Sequence, residues 1–168
     1  VSAQTTTFAQ FFQSVGGNNF VFTNNTTSGS FDSISGGVPV FLIYQNVAGL
    51  DPSLQGPQAA KLTISTVTNS PGSVSGATLT QPLNQTITIQ IIRDTPAPPG
   101  VGILSRNALL TVVITPAGQT PALTGTTAAT SASFSVATPS HNVTFASHFL
   151  NFSSTTARDM ALSFSSVT

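Results

Sequence analysis

A chain of 168 residues is long enough for one well-buried sandwich-sized domain, whereas two independent domains of half that length would each be poorly buried. Only 5% of its residues are Asp, Glu, Lys or Arg and the net charge is zero, against about 25% charged residues in an ordinary globular domain. Four dispersed cations cannot form the basic face that nucleic acid requires, and a chain without cysteine uses neither disulfides nor thiolate metal sites.

The charged side chains are Lys61, Arg93, Arg106 and Arg158 against Asp32, Asp51, Asp94 and Asp159, with His141 and His148 and no Glu. So few charges leave little self-repulsion between copies, so the surface must be hydrated in another way or the chain must associate. Ser and Thr occupy 48 positions, and their hydroxyls can hydrate a surface or carry O-linked sugars. Mean hydropathy is +0.26, yet no apolar run approaches the roughly 20 residues that span a bilayer. Val1-Ser2-Ala3-Gln4 has neither a basic nor an apolar leader region, and Val1 reads as a mature or near-mature start.

Good helix formers are scarce, while Thr, Ser, Val, Ile, Phe, Gly and Pro dominate, which predicts an all-β protein. From the N-terminus, residues 6–13 carry Phe8, Phe11 and Phe12, and Gly16-Gly17-Asn18-Asn19 turns the chain into a strand over 20–23. Residues 1–15 are expected to be an extended segment open to exchange with a neighbouring subunit, and 16–168 a single β-sandwich domain. Strands follow at 30–35 and 38–44, with Gly36-Gly37 between them, and Val40-Phe41-Leu42-Ile43, apolar on both faces, is expected to sit deep.

Residues 46–59 form a long loop in which Asp51-Pro52 starts a single helical turn. Alternation predicts strands at 61–68, 73–80 and 85–92, the last with Ile87, Ile89 and Ile91 on one face. Residues 95–102 hold three prolines and two glycines and form a rigid crossover. A strand at 104–115, one or two strands of small residues at 123–137, and strands at 141–149 and 159–167 complete the chain, with Met160, Leu162 and Phe164 sharing a face. About nine to eleven strands in one domain predict an all-β, two-sheet antiparallel sandwich of jelly-roll or Greek-key type.

The residues for enzyme chemistry are thinly supplied. No G-x-S-x-G elbow is present, and an unbroken strand would send His141 and His148 to opposite faces. Four scattered Asp without Glu supply no defined carboxylate pair for glycoside hydrolysis. Neither a D-x-D-x-D cluster nor a zinc ligand set occurs, so no catalytic, cofactor-binding or metal residue is assigned. Arg93-Asp94 and Arg158-Asp159 read as local ion pairs or turn caps. Five N-x-S/T triplets, at Asn24, Asn25, Asn84, Asn142 and Asn151, are candidate glycan acceptors.

Several phrases resemble bacterial exported proteins of the PEP-CTERM sorting class: Phe8-Ala9-Gln10-Phe11-Phe12, Asn18-Asn19-Phe20-Val21-Phe22-Thr23, Pro39-Val40-Phe41-Leu42-Ile43-Tyr44, and Arg158-Asp159-Met160-Ala161-Leu162-Ser163-Phe164. That resemblance implies export, sorting by an exosortase and a surface or matrix role, often with glycosylation. The Pro-Glu-Pro motif, apolar helix and basic tail of the class do not follow Thr168 in this sequence.

The expected function is that of a secreted, non-enzymatic subunit of an extracellular filament, sheath or matrix whose partners are copies of itself. Phe8, Phe11 and Phe12 form its candidate assembly arm, suited to strand donation. The alternative is a secreted carbohydrate-binding or adhesive sandwich. Such modules stack sugars on exposed aromatics, and here Trp is absent and Tyr44 is the one tyrosine.

Overall fold

Along β5 (Gln58–Thr68) every second side chain is buried, from Gln58 through Ala60, Leu62, Ile64 and Thr66 to Thr68. Only a pleated strand with one face in a core produces that period, and the same alternation recurs in β4 (Val38–Tyr44) and β8 (Ile87–Arg93). The computed structural model describes residues 7–14, 19–24, 27–50, 52–94, 108–117, 119–126, 132–137, 141–147, 149–150, 152 and 159–164. The proline-rich crossover expected at 95–102 lies outside them.

Thirteen strands are described, all paired antiparallel in two sheets. The others are β1 (Ala9–Gln13), β2 (Phe20–Asn24), β3 (Gly29–Ser33), β6 (Ser73–Ser75), β7 (Thr78–Pro82), β9 (Ala108–Pro116), β10 (Ala122–Thr126), β11 (Ala132–Ala137), β12 (His141–Ala146) and β13 (Asp159–Phe164). The larger sheet runs β1-β4-β5-β8-β9-β12, with β3 joining β2 to β5, and the smaller runs β13-β11-β10-β7-β6. After β5 the chain shuttles between the sheets, so that β8 lies beside β5, β10 beside β7 and β12 beside β9. Each return places a strand next to the one left three strands earlier, the Greek-key relation spread over two sheets. The all-β two-sheet architecture is therefore the one expected from the sequence.

The first four strands form one long interrupted hairpin. Ala9↔Tyr44 and Gln13↔Val40 share a single register with Phe20↔Ser33 and Asn24↔Gly29, and the Ile34 N–H donates to the Asn19 carbonyl in the same frame. β1 on β4 and β2 on β3 therefore follow one continuous register. Against β5 the match is not uniform. Between Asp32↔Ser65 and Val38↔Leu62, six steps along the hairpin oppose three along β5. The extra length is absorbed in a bulge where Gly36 and Gly37 take positive φ of 83° and 86°, and where the Ser33 hydroxyl donates to the Ile64 carbonyl and accepts from the Ile64 N–H.

A Cβ on Gly37 would lie 3.1 Å from Lys61 Cβ and 3.2 Å from the Leu62 carbonyl, whereas one on Gly36 would meet nothing. Gly37→Ala is therefore expected to cost about 1–3 kcal/mol from strained φ plus crowding, and Gly36→Ala less. Urea midpoints of the two variants measure the difference; equal losses would show that strain alone acts.

Two expectations are corrected. Residues 73–80 are not one strand but a hairpin, because Ser75 pairs with Thr78 across a two-residue loop and Gly76 takes φ +61°, the first position of such a loop. Val40-Phe41-Leu42-Ile43 is not buried on both faces: Val40 and Leu42 enter the core, while Phe41 and Ile43 stay partly exposed on the outer face. The helical turn at Pro52–Leu54 and the split of 123–137 into two strands agree with the sequence reading.

The core fills the concave side of the larger sheet. Leu42, Ile89, Ile91, Leu109, Val112 and Ile114 are all 1% exposed or less. The Tyr44 hydroxyl donates to the Leu109 carbonyl at 2.5 Å, although β5 and β8 separate their strands in the ladder. The sheet is thus curled, bringing β4 across to β9. Leu83, Leu123, Val136 and Leu162 close the same core from the smaller sheet's side. Where β5 passes towards β7, the Thr68 hydroxyl meets the Pro82 carbonyl and Asn84 Oδ1, and the buried Gln81 amide donates to the Ser70 and Pro82 carbonyls. This polar joint satisfies backbone groups that the change of sheet leaves without ladder partners.

Candidate assembly surface

The N-terminal arm is β1, and in this structure it lies on its own chain's β4 with Phe11 opposite Leu42 and Phe12 opposite Phe41. Its two ends are tied by the Gln45 N–H to the Phe8 carbonyl at 2.7 Å and the Ser14 N–H to the Pro39 carbonyl at 3.0 Å. Asn46, itself at φ +55°, donates to the Thr7 carbonyl at 2.8 Å. β1 is a terminal strand of its sheet, so among the described residues its ladder partner is β4 alone.

The three phenylalanines proposed from the sequence occupy three environments. Phe8, one residue before β1, packs its ring against Phe145 at 5.1 Å and Phe152 at 5.0 Å, and those two rings lie 5.6 Å apart. This triad joins the two ends of the curled sheet through side chains, since β1 and β12 are not paired. Phe11 points inward to the margin of the core. Phe12 points outward, 50% exposed, with its ring 5.6 Å from that of Phe41, a tilted contact of the kind aromatic cross-strand pairs favour.

Strand alternation assigns the outward neighbours. Phe12, Phe41 and Ala59 lie in one row across β1, β4 and β5, and Pro39, Lys61 and Ile92 lie in the next across β4, β5 and β8. Lys61 Nζ pairs with Asp94 at 3.4 Å with both side chains about two-fifths exposed, a surface ion pair of little energetic weight that neutralises the patch margin. Asp94, next to Arg93 in the chain, is thus paired across the sheet with Lys61. Arg158-Asp159 falls partly outside the described residues.

Beneath this surface Tyr44 ends β4 in the core, bonded to Leu109 and within 3.4 Å of the Ser147 hydroxyl. Burial pushes its phenol up to about 12, against smaller lowering contributions from the Ser147 hydroxyl and the Arg93 charge.

The remaining sequence candidates are dispersed. Asn142 is exposed on β12 with Thr144, whose hydroxyl donates to the Val113 carbonyl at 3.3 Å. Asn84 is half-buried, its Oδ1 accepting from Thr68 at 3.0 Å and from the Asn69 N–H at 3.2 Å, so it acts as a turn clamp. Asn24 closes β2, while Asn25 and Asn151 lie outside the described residues. His141 is buried at the start of β12 and His148 lies outside the described residues. Among the described residues no three His, Cys, Asp or Glu side chains gather as a metal site would require, and no helix is long and apolar enough to cross a membrane.

Comparisons with family models, with curated proteins and with solved structures give no match to this chain. Phe41, Phe145 and Phe152 were not expected at the assembly surface: nothing in the spacing of twelve phenylalanines tells which rings meet. Phe41 alone had a local signal, since it alternates with Val40 and Leu42.

Proposed function

We propose that this protein is a structural subunit of an extracellular filament, sheath or matrix, exported to or beyond the cell surface and joined to copies of itself through its N-terminal strand. The observation that carries the reading is the seat of β1. A terminal strand is held by one ladder, two inward rings and end ties, and the identical segment of a neighbouring copy fits that seat in the same register. The segment from Phe8 to Phe12 would then bring its own phenylalanines to the neighbour's Leu42, Phe145 and Phe152, combining backbone bonds with buried side chains.

Composition supports the same reading. With four cations and four anions among 168 residues, copies approach without net repulsion. The hydroxyl-rich surface is suited to hydration or to sugars, and Asn142 is an exposed sequon.

Full-length protein is expected to sediment as larger species as its concentration rises and to form polymers visible by negative-stain microscopy. Removal of residues 1–13 is expected to abolish the polymers, and a synthetic peptide of residues 1–15 to bind the shortened chain in trans. Polymers that persist after the deletion would eliminate the arm as connector. A single particle at every concentration that binds glycans on an array would instead support a carbohydrate-binding module.

A further inference from the structure

The ladder of β1 with β4 also fixes what β1 presents on its other side. Ser14 and Phe8 bond across to Pro39 and Gln45, so with the two-residue period of an antiparallel ladder Gln10 and Phe12 also direct their N–H and C=O groups to β4. Ala9 and Phe11 direct theirs away from it. Natural sheets protect such an edge with charges, proline, bulges or extreme shortness. The edge strand β6 has three residues, whereas β1 is five residues, Ala-Gln-Phe-Phe-Gln, with no charge, proline or glycine. On its outer face the edge continues into Phe12, Phe41, Ile43 and Pro39, partly or half exposed, and Lys61, opposite Pro39 on β5, is paired with Asp94.

We infer that a second copy of this chain docks edge to edge along β1, in a two-fold antiparallel pairing centred on Phe11 that joins the two larger sheets into one. A two-fold axis presents the same strand to itself, and two copies of an uncharged edge meet without repulsion. In this register the two Phe11 residues exchange backbone bonds and Gln10 stands opposite Phe12 of the second copy. The two Phe12 rings then become diagonal neighbours about 7–8 Å apart on the outer face, within reach of aromatic side chains. The inference rests on the self-assembly reading but not on strand exchange, because an exchanged β1 exposes the same outer edge. Exchange runs from one copy to the next, and edge docking adds a second, pairwise contact.

The test uses full-length chains. Phe12→Lys changes a half-exposed side chain, so its unfolding midpoint is expected to stay close to the original, while its dissociation constant by sedimentation is expected to rise at least about tenfold. Because the chain has no cysteine, single substitutions also report the register. Residues 10 and 12 face each other as a pair without ladder bonds, about 4.5 Å between Cα atoms, which is within disulfide reach. A mixture of Gln10→Cys and Phe12→Cys chains is expected to form a mixed disulfide on mild oxidation more readily than either variant alone. If the original chain associates while Phe12→Lys associates equally, or if the mixture gives no preferential cross-link, the edge contact is overturned and the self-assembly reading stands. If the original chain is monomeric at every concentration, both fall.

Discussion

Phe31→Ala is expected to lower the unfolding free energy by about 3–5 kcal/mol, the range for emptying a fully buried phenylalanine site. Phe31 is 1% exposed and its ring lies 5.6 Å from Phe20 with only 9° between their planes. It sits on β3, which holds β2 to β5, so the cavity would open at the point where the far half of the long hairpin is attached. Against a total stability of about 5–15 kcal/mol for a native domain, this loss corresponds to a fall in Tm of roughly 10 °C at this chain length. Phe31→Leu retains most of the volume and is expected to recover more than half of the loss. Urea unfolding followed by far-ultraviolet dichroism measures both. A loss below about 1 kcal/mol would mean that the β2–β3 hairpin unfolds apart from the rest.

The second large effect is alkaline. The buried Tyr44 phenol has a folded-state value of about 12 against about 10 in an unfolded chain. Folding therefore favours the protonated phenol, and the stability this supplies is complete below pH 10 and lost as pH rises from 10 through 12. Two pH units correspond to roughly 3 kcal/mol. With one tyrosine and no cysteine or tryptophan, phenolate absorbance follows this group alone, and its midpoint is expected near 12 in the folded chain and near 10 in denaturant. Tyr44→Phe removes the donor to the Leu109 carbonyl and is expected to cost about 1–3 kcal/mol at neutral pH. It also flattens the pH dependence between 10 and 12. A folded-state midpoint near 10 would show that water reaches the hydroxyl and that β4 is not pinned to β9 as described.

Much of the fold was legible because strand alternation is a local property. Ile87, Ile89 and Ile91 announce one buried face, as do Leu62, Ile64 and Thr66, and the Pro52 turn carries its own signal. The hairpin within 73–80 was less visible, since Ser-Val-Ser and Thr-Leu-Thr read as one β-rich run until the positive φ of Gly76 divides them. The common register of β1 on β4 and β2 on β3 left no readable trace. It depends on register shared between strands distant in the chain, and spacing along one segment does not encode that. In the candidate site, Phe8, Phe11 and Phe12 were recognisable as a group by their density, but their separate roles were not.

By itself the sequence determined a sparsely charged, cysteine-free, antiparallel two-sheet fold, because composition and period-two patterning act residue by residue. Tertiary structure alone decided that Phe12 faces solvent beside Phe41, that Phe8 reaches Phe145 and Phe152, and that Tyr44 crosses the curl to Leu109. Those contacts depend on strand register and sheet curvature, and both arise from the simultaneous fit of strands distant in the chain.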